Sequence, residues 1–464
     1  MMRLRRVVAV SPLLFLLSPA ASRAADDVAA LRAELEALKA EYSSRVTALE
    51  SRITELESIA AAASAAPAAV VAEVAPPGSP GRGGASAFNP AISMILAGKY
   101  ASLSQDPASY RIAGFIPSGS DIGPGPRSFN LGESELTVAA NVDPYFFANV
   151  TASITSENQI AVEEAYFRTL ALPSGLTLKG GRFFSALGYL NEVHAHAWDF
   201  VDQPLVYQAF FGGQLAQDGV QLKWVAPTET FVELGAEAGN GGAFPGTHRN
   251  RNSLNATVLF THVGGDVGDS ASWRTGISWL DERADDRLYE DSDDVGAPVT
   301  NAFTGTSRTW IADAILKWAP HGDTTRQQLK VQAEYLRRAE DGSLTFDVGG
   351  RGLAGDYRSQ QSGWYLQSVY QFRPRWRTGA RYDSMDSGDP RIGLVAAGVL
   401  PRAAFPTLLA ASPDRFTLML DWSPSEFTRL RAQYAWDDAR AALRDRQFFL
   451  QYLYGIGAHG AHKF

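Results

Sequence analysis

The 464-residue chain has no cysteine, which excludes disulfides and thiolate metal centres and leaves the compartment open. Beyond the first two dozen positions it has no run of about eighteen apolar residues, so no transmembrane helix is available. Its serine, histidine and aspartate residues show no nucleophile-elbow spacing and no reason to converge, so it is not expected to be an enzyme. A net charge of −8 excludes the basic balance that a nucleic-acid or anionic-lipid partner calls for. Mean hydropathy is near zero. That value fits a soluble protein, but alternating lipid-facing and lumen-facing residues in a membrane barrel average to the same figure. The pattern along the chain must decide.

The N-terminus reads as a secretory signal over residues 1–24. Arg3, Arg5 and Arg6 precede a short apolar stretch from Val7 to Leu17, and Ser22-Arg23-Ala24 fits a small-x-small cleavage site. Residues 25–60 follow as an amphipathic helix. Leu31, Leu35, Leu38, Tyr42, Val46, Leu49, Ile53, Leu56 and Ala60 recur at steps of three and four between charged positions. So narrow a seam predicts a coiled coil, with a stutter from Leu38 to Val46. Residues 61–87 are rich in Ala, Pro and Gly, ending in Pro76-Pro77-Gly78-Ser79-Pro80-Gly81, and predict a linker.

From residue 88 the period changes to two. Leu136, Val138 and Ala140 alternate with Glu135, Thr137 and Ala139; Phe146, Ala148, Val150, Ala152 and Ile154 form a second such face. The same alternation returns in Trp310–Trp318, Leu329–Tyr335, Trp364–Phe372 and Trp376–Tyr382. One apolar face with aromatics at its ends is the lipid-facing band of a membrane barrel. Short turns carry proline after an aromatic, as in Trp318-Ala319-Pro320, Phe372-Arg373-Pro374 and Trp422-Ser423-Pro424. Polar stretches at 188–217, 282–307, 339–361 and 385–413 read as long loops between them. The fold class expected over 88–464 is all-β, an antiparallel transmembrane barrel of about sixteen strands with both ends on the periplasmic side. At its end Phe448, Leu450, Tyr452, Tyr454 and Ile456 share a parity that Phe464 keeps.

The stretch Gly188-Tyr189-Leu190-Asn191-Glu192-Val193-His194-Ala195-His196-Ala197-Trp198-Asp199-Phe200 is distinctive. With Gly132-Glu133-Ser134-Glu135-Leu136, Glu163-Glu164-Ala165-Tyr166 and the final Gly457 to Phe464, it resembles a Gram-negative outer-membrane family. Its members are often labelled zinc-regulated TonB-dependent receptors, and they are loosely similar to phosphate-selective porins. The resemblance implies a barrel in the outer membrane and a terminal strand read by the barrel-assembly machinery. A TonB-dependent transporter has a plug inside 22 strands. Here about 380 residues follow the linker, enough for about sixteen strands and no plug.

Assigning faces by alternation points Lys223, Lys317, Lys330, Arg377, Arg381, Arg429 and Arg431 inward from middle and late strands. Glu133, Glu135, Glu164, Glu233 and Glu237 point inward from early ones. A basic wall facing an acidic one would orient polar solutes; the alternative is that these charges pair with one another. Loop 188–217 is long enough to fold in as a constriction. His194 and His196, with Asp199 or Glu192, have the donor types of a zinc site, and His459 and His462 form a second pair. No cofactor is called for, and zinc enters only as a ligand.

The reading is a passive channel for small polar or charged solutes in the outer-membrane lipid, with its coiled coil in the periplasm joining a homotrimer. Its alternative is a metal (zinc) or metallophore uptake receptor using His194 and His196. A structural tether is the third.

Overall fold

The computed structural model describes Lys39 and residues 90–457, excepting 120–121, 156–158 and 248–249. The signal segment 1–24, the coiled coil 25–60 apart from Lys39, the linker 61–87, the His459/His462 pair and Phe464 lie outside the described residues. Among the described residues no helix is long and apolar enough to cross a membrane.

Strands β1 (Ala91–Leu103), β2 (Ser134–Asn141), β3 (Phe146–Ile154) and β4 (Ile160–Thr169) open the barrel wall. It continues through β5 (Leu176–Phe184), β6 (Ala216–Val225), β7 (Phe231–Gly239) and β8 (Ala256–Val267). Four long strands follow: β9 (Ala271–Ser292), β10 (Pro298–Trp318), β11 (Gln328–Phe346) and β12 (Leu353–Arg373), of 19 to 22 residues. β13 (Trp376–Asp386), β14 (Asp414–Ser425), β15 (Thr428–Arg440) and β16 (Leu443–Gly457) complete the ring. Every neighbouring pair is antiparallel, and β1 closes the circle by pairing with β2 (Ala91 opposite Ala139) and with β16 (Ser93 opposite Gly457). The wall therefore has the expected sixteen strands. Two shorter strands, Ser128–Leu131 and Arg391–Ile392, pair with β1 and β12 from within loops. Closure leaves no unpaired edge, as backbone placed in hydrocarbon requires.

The outward face follows the alternation. Leu418 and Leu420 are exposed between Phe416 and Trp422 on β14, and Leu450, Tyr452, Tyr454 and Ile456 are exposed along β16. Aromatics gather at two levels. Trp364 packs edge-on against Tyr382, and Phe416 stacks on Trp436 at 5.8 Å; at the other level Trp376 stacks on Trp422, also at 5.8 Å. Trp364 and Phe372 lie eight residues apart, roughly 27 Å along a strand. Strand tilt brings that near the height of the apolar band of such barrels.

Two expected loops are instead ladder. Stretches 282–307 and 339–361 continue β9 into β10 and β11 into β12, with pairing as far as Ser292 opposite Pro298 and Phe346 opposite Leu353. Past the apolar band both faces of a hairpin meet water or protein, so the period-two signal fades while the hydrogen-bond ladder persists. The stretch at 385–413 is largely loop.

The interior differs from a purely polar lumen. Three connections, 104–127, 185–215 and 387–413, carry apolar side chains inward. Tyr110 and Phe115 from the first, and Leu187, Leu205, Val206 and Phe210 from the second, bury against Leu280, Ile311, Leu336 and Met385 of the wall. Ile392, Leu394, Phe405 and Leu408 from the third pack with Phe303, Leu344, Phe346 and Tyr357.

Candidate functional site: an infolded loop between an acidic and a basic wall

Loop 185–215 leaves β5 and is tied at its base by Asn191. That side chain donates to Ser185 O (2.8 Å) and Leu215 O (3.0 Å) and accepts from Leu215 N at 2.8 Å. The loop then crosses to β11. There Glu334 accepts from the backbone N–H groups of Tyr189 (3.2 Å) and Leu190 (3.0 Å) and from the Tyr207 hydroxyl at 2.8 Å. These bonds satisfy donors that would otherwise be buried unpaired. A short helix, α1 (Leu205–Phe211), is wholly buried and ends on Gly212, whose φ of 68° supplies the left-handed cap.

The far side of the loop docks on basic residues. Asp199 is held by Lys330 and by Arg377 (3.3 Å). Asp202 accepts from Arg381 (2.9 Å) and Arg415 (2.7 Å). Trp198 O accepts from Arg431 at 2.8 Å and, at 3.5 Å, from Arg429. Burial pushes the Asp199 and Asp202 carboxyls up, but Lys330 and Arg377 beside Asp199, and Arg415 and Arg381 beside Asp202, hold both below the usual range.

The near side docks on the acidic wall. His194 Nδ1 lies 3.2 Å from Glu163 and 3.3 Å from Glu135, and its Nε2 lies 3.0 Å from Glu164. His196 Nδ1 is 2.8 Å from Glu135, and the two imidazoles stack at 5.8 Å. Burial alone would lower the His194 pKa, but Glu135, Glu163 and Glu164 outweigh it and raise it well above the ordinary value.

The structure thus brings Glu135 and Glu164 together with the histidines. It places Lys330, Arg377, Arg381, Arg429 and Arg431 on the opposite wall. Lys223 and Glu233 form a separate pair at 3.0 Å, to which His262 adds a contact of 3.0 Å on Glu233. Lys317 stands opposite Lys330 in the β10–β11 register, and Glu133 is exposed and reaches Glu163 by a side-chain hydrogen bond. Glu237 accepts from Ser185 Oγ (2.6 Å) and Ala186 N (2.8 Å).

Two expectations change. Asp199 lies with Lys330 and Arg377, not with the histidines, because the residues after Ala195–Ala197 turn across the lumen rather than continuing a strand. Glu192 pairs with Lys179 at 3.8 Å. The transverse basic and acidic walls exist, but most of their charges are spent on seating the loop rather than facing open water.

Two residues escaped the alternation. Glu163 is absent from the inward set, in which its neighbour Glu164 stands. In β4, however, Thr151 of β3 pairs with Glu164 and the next residue, Ala152, pairs with Val162, so Glu163 is the extra residue of a bulge and lies beside Glu164. Arg415 was overlooked although it shares the inward parity of Thr417 and Asp421, and nothing about its neighbours hides it.

No family model matches the chain. It is similar to an uncharacterized protein of Aquifex aeolicus (strain VF5), 33% identical over 356 residues, covering 73% of this chain and 70% of that one. Among solved structures it resembles a loop L8 deletion mutant of OmpT, an outer membrane protein of Vibrio cholerae. There the TM-score is 0.50 at 12% identity, over 80% of this chain and all of that one. The outer membrane channel DcaP of Acinetobacter baumannii aligns with a TM-score of 0.46 at 11% identity, over 79% of this chain and 97% of that one. The likeness to the OmpT mutant concerns the fold alone, a closed antiparallel barrel. The sixteen-strand ring, narrowed by its own loops, gives no support to a TonB-dependent receptor, which has 22 strands around a plug.

Proposed function

The chain belongs to the same family as the Aquifex aeolicus protein, and we propose that both are outer-membrane channels for the passive diffusion of small polar or charged solutes. The observation that carries this reading is that the infolded loop does not close over every inward charge. The side chains of Lys330 (21%), Arg377 (23%), Glu192 (20%) and His194 (20%) keep partial access. An apolar outer face enclosing a vestibule lined by both signs of charge suits a conduit for hydrated solutes, with loop 185–215 as its constriction. Fixed charges in so confined a space act on a passing ion more strongly than on an open surface.

The proposal extends to a homotrimer joined by the 25–60 coiled coil on the periplasmic side. It also makes β16, together with the terminal Phe464 that shares its parity in the sequence, the element handed to the barrel-assembly machinery. Single-channel recording of the refolded full chain in a planar bilayer tests the channel. Stepwise openings, smaller than those of an unobstructed barrel of the same strand number, are expected. Protein that inserts without any discrete step overturns the reading. Sedimentation in detergent tests the trimer, which should revert to monomer when residues 25–60 are deleted.

A further inference from the structure

The cluster at the acidic wall has the donor chemistry of a metal site as well as of an ion pair. We infer that His194, Glu135 and Glu163 form a binding site for a divalent cation of the zinc class, joining the infolded loop to β2 and β4. His194 Nδ1 stands 3.3 Å from Glu135 Oε2 and 3.2 Å from Glu163 Oε2, and the three donor atoms all lie within 4.8 Å of one another. Zinc bound tetrahedrally by nitrogen and oxygen at about 2.0–2.1 Å sets its donors roughly 3.3 Å apart, the spacing His194 Nδ1 keeps to both carboxylates. One imidazole with carboxylates is a donor set suited to zinc rather than to calcium or magnesium, which take oxygen alone.

A second shell is already in place. A metal-bound imidazole commonly gives its other ring N–H to a carboxylate, which fixes its tautomer and orientation. His194 Nε2 has such a partner in Glu164 Oε2 at 3.0 Å. Glu135 is held likewise, since its Oε1 faces His196 Nδ1 at 2.8 Å while Oε2 faces His194. Three carboxyl groups, of Glu135, Glu163 and Glu164, against two imidazoles leave an acidic excess, which a bound cation neutralises. The His194 side chain keeps 20% of its surface open, so an ion has a way in from the lumen and water a place as fourth ligand.

Aspartate 199 takes no part. The sequence spacing of His194, His196 and Asp199 suggests the right chemistry with a wrong third ligand, and the bulge that turns Glu163 inward supplies the right one. Because its ligands come from the loop and from two wall strands, a bound ion cross-links the constriction to the barrel. The site goes beyond the channel reading and holds whether or not the barrel conducts.

Isothermal titration of the refolded full-length protein with zinc chloride, at slightly alkaline pH, tests it. One saturable site per chain is expected, with cobalt(II) in its place giving the intense visible bands of four-coordinate nitrogen and oxygen ligation. Glu163→Gln and His194→Ala should abolish the site. Glu164→Gln, which removes only the second-shell partner, should weaken it about 10- to 100-fold. His194→Cys guards against misfolding of the alanine variant, because a thiolate in that place keeps the site and adds a sulfur-to-cobalt charge-transfer band. Absence of saturable binding in the wild type overturns the inference. So does binding that Glu163→Gln and His194→Ala leave unchanged, which would place the ion elsewhere, for instance at His459 and His462.

Discussion

Asp202, on the infolded loop, accepts a hydrogen bond from Arg415 of β14 across 2.7 Å, and the pair is nearly closed to solvent. Arg381 completes the grip from β13 at 2.9 Å, so one carboxylate answers two buried guanidinium groups. Such an arrangement stabilises little relative to apolar packing, but removing Asp202 leaves two buried guanidinium groups to share Asp383 and Asp437, a loss of up to about 3–5 kcal/mol. Asp202→Ala is therefore expected to unseat the loop without dissolving the barrel. The signature is larger and noisier single-channel steps, with the heat-modifiable mobility of the folded barrel retained. Unchanged conductance would mean that the loop is held without this contact.

Acid should do the same reversibly. Asp199 and Asp202 titrate below the usual carboxylate range because Lys330 and Arg377, or Arg415 and Arg381, outweigh the cost of burial. A depressed folded pKa contributes stability that is complete above the unfolded value, about 3.9, and is lost as pH falls through the folded value. The seat of the loop is thus expected to be insensitive to pH from neutrality down to about pH 4, and to fail in stronger acid. Conductance recorded along a descending pH series checks this. Opening that begins well above that point would assign control to another group.

Gly188 provides a local test of the loop's path. Its φ is 62°, and a Cβ there would run into Glu334 Oε2, the carboxylate that receives Tyr189 and Leu190. Left-handed backbone costs a non-glycine residue roughly 1–2 kcal/mol, and displacing Glu334 adds the loss of its buried hydrogen bonds. Gly188→Ala should lower the thermal midpoint of the refolded barrel and raise proteolysis within 185–215. An unaltered midpoint would mean that the loop settles elsewhere without penalty.

The membrane-facing wall was legible because burial imposes period two wherever one face meets lipid. The parity of Trp310 to Trp318, Trp364 to Phe372 and Phe448 to Ile456 is the parity the structure displays. The signal failed where its physical cause stops. Above the apolar band the outward face of β9 to β12 turns polar, while the inward face still buries Phe303, Leu344, Phe346 and Tyr357, so without a lipid-facing stripe the outer halves read as loops. A one-residue bulge in β4 reversed the parity and hid Glu163. Infolding of 185–215 was foreseeable from length, but not its contacts: these join residues as distant as Asp202 and Gln433 (2.9 Å), and no local pattern encodes them. Infolding of 104–127 carried no signal beyond the apolar Ile112, Phe115 and Ile116.

Leu418 offers a check on the outer face itself. It lies exposed midway along β14, between Phe416 and Trp422, in the middle of the apolar band. Leu418→Arg is expected to cost about 2–4 kcal/mol in a bilayer, read as a lower denaturant midpoint for unfolding from lipid vesicles. Thr417, its neighbour, faces inward and is fully buried. Thr417→Ser should leave that midpoint nearly unchanged, and a cost at Thr417 equal to that at Leu418 would contradict the assigned faces.

Selectivity separates cations that meet the solute from cations that hold the loop. Lys330 and Arg377 stand at the short-turn end with about a fifth of their side chains accessible, whereas Arg381 is closed off between Asp202 and Asp383. Neutralising an accessible charge alters the local ion concentration and should move the reversal potential. Neutralising a buried one acts through the loop instead. Arg377→Gln and Lys330→Gln are therefore expected to shift the reversal potential under a salt gradient toward cation preference, and the shift should shrink as salt rises and screening takes hold. Arg381→Gln should change the size and steadiness of the steps more than their selectivity. If all three variants shift the reversal potential equally, Arg381 lies on the ion path and the loop is seated differently from the arrangement described. If Arg377→Gln and Lys330→Gln shift nothing, the vestibule they line is not the route that ions take.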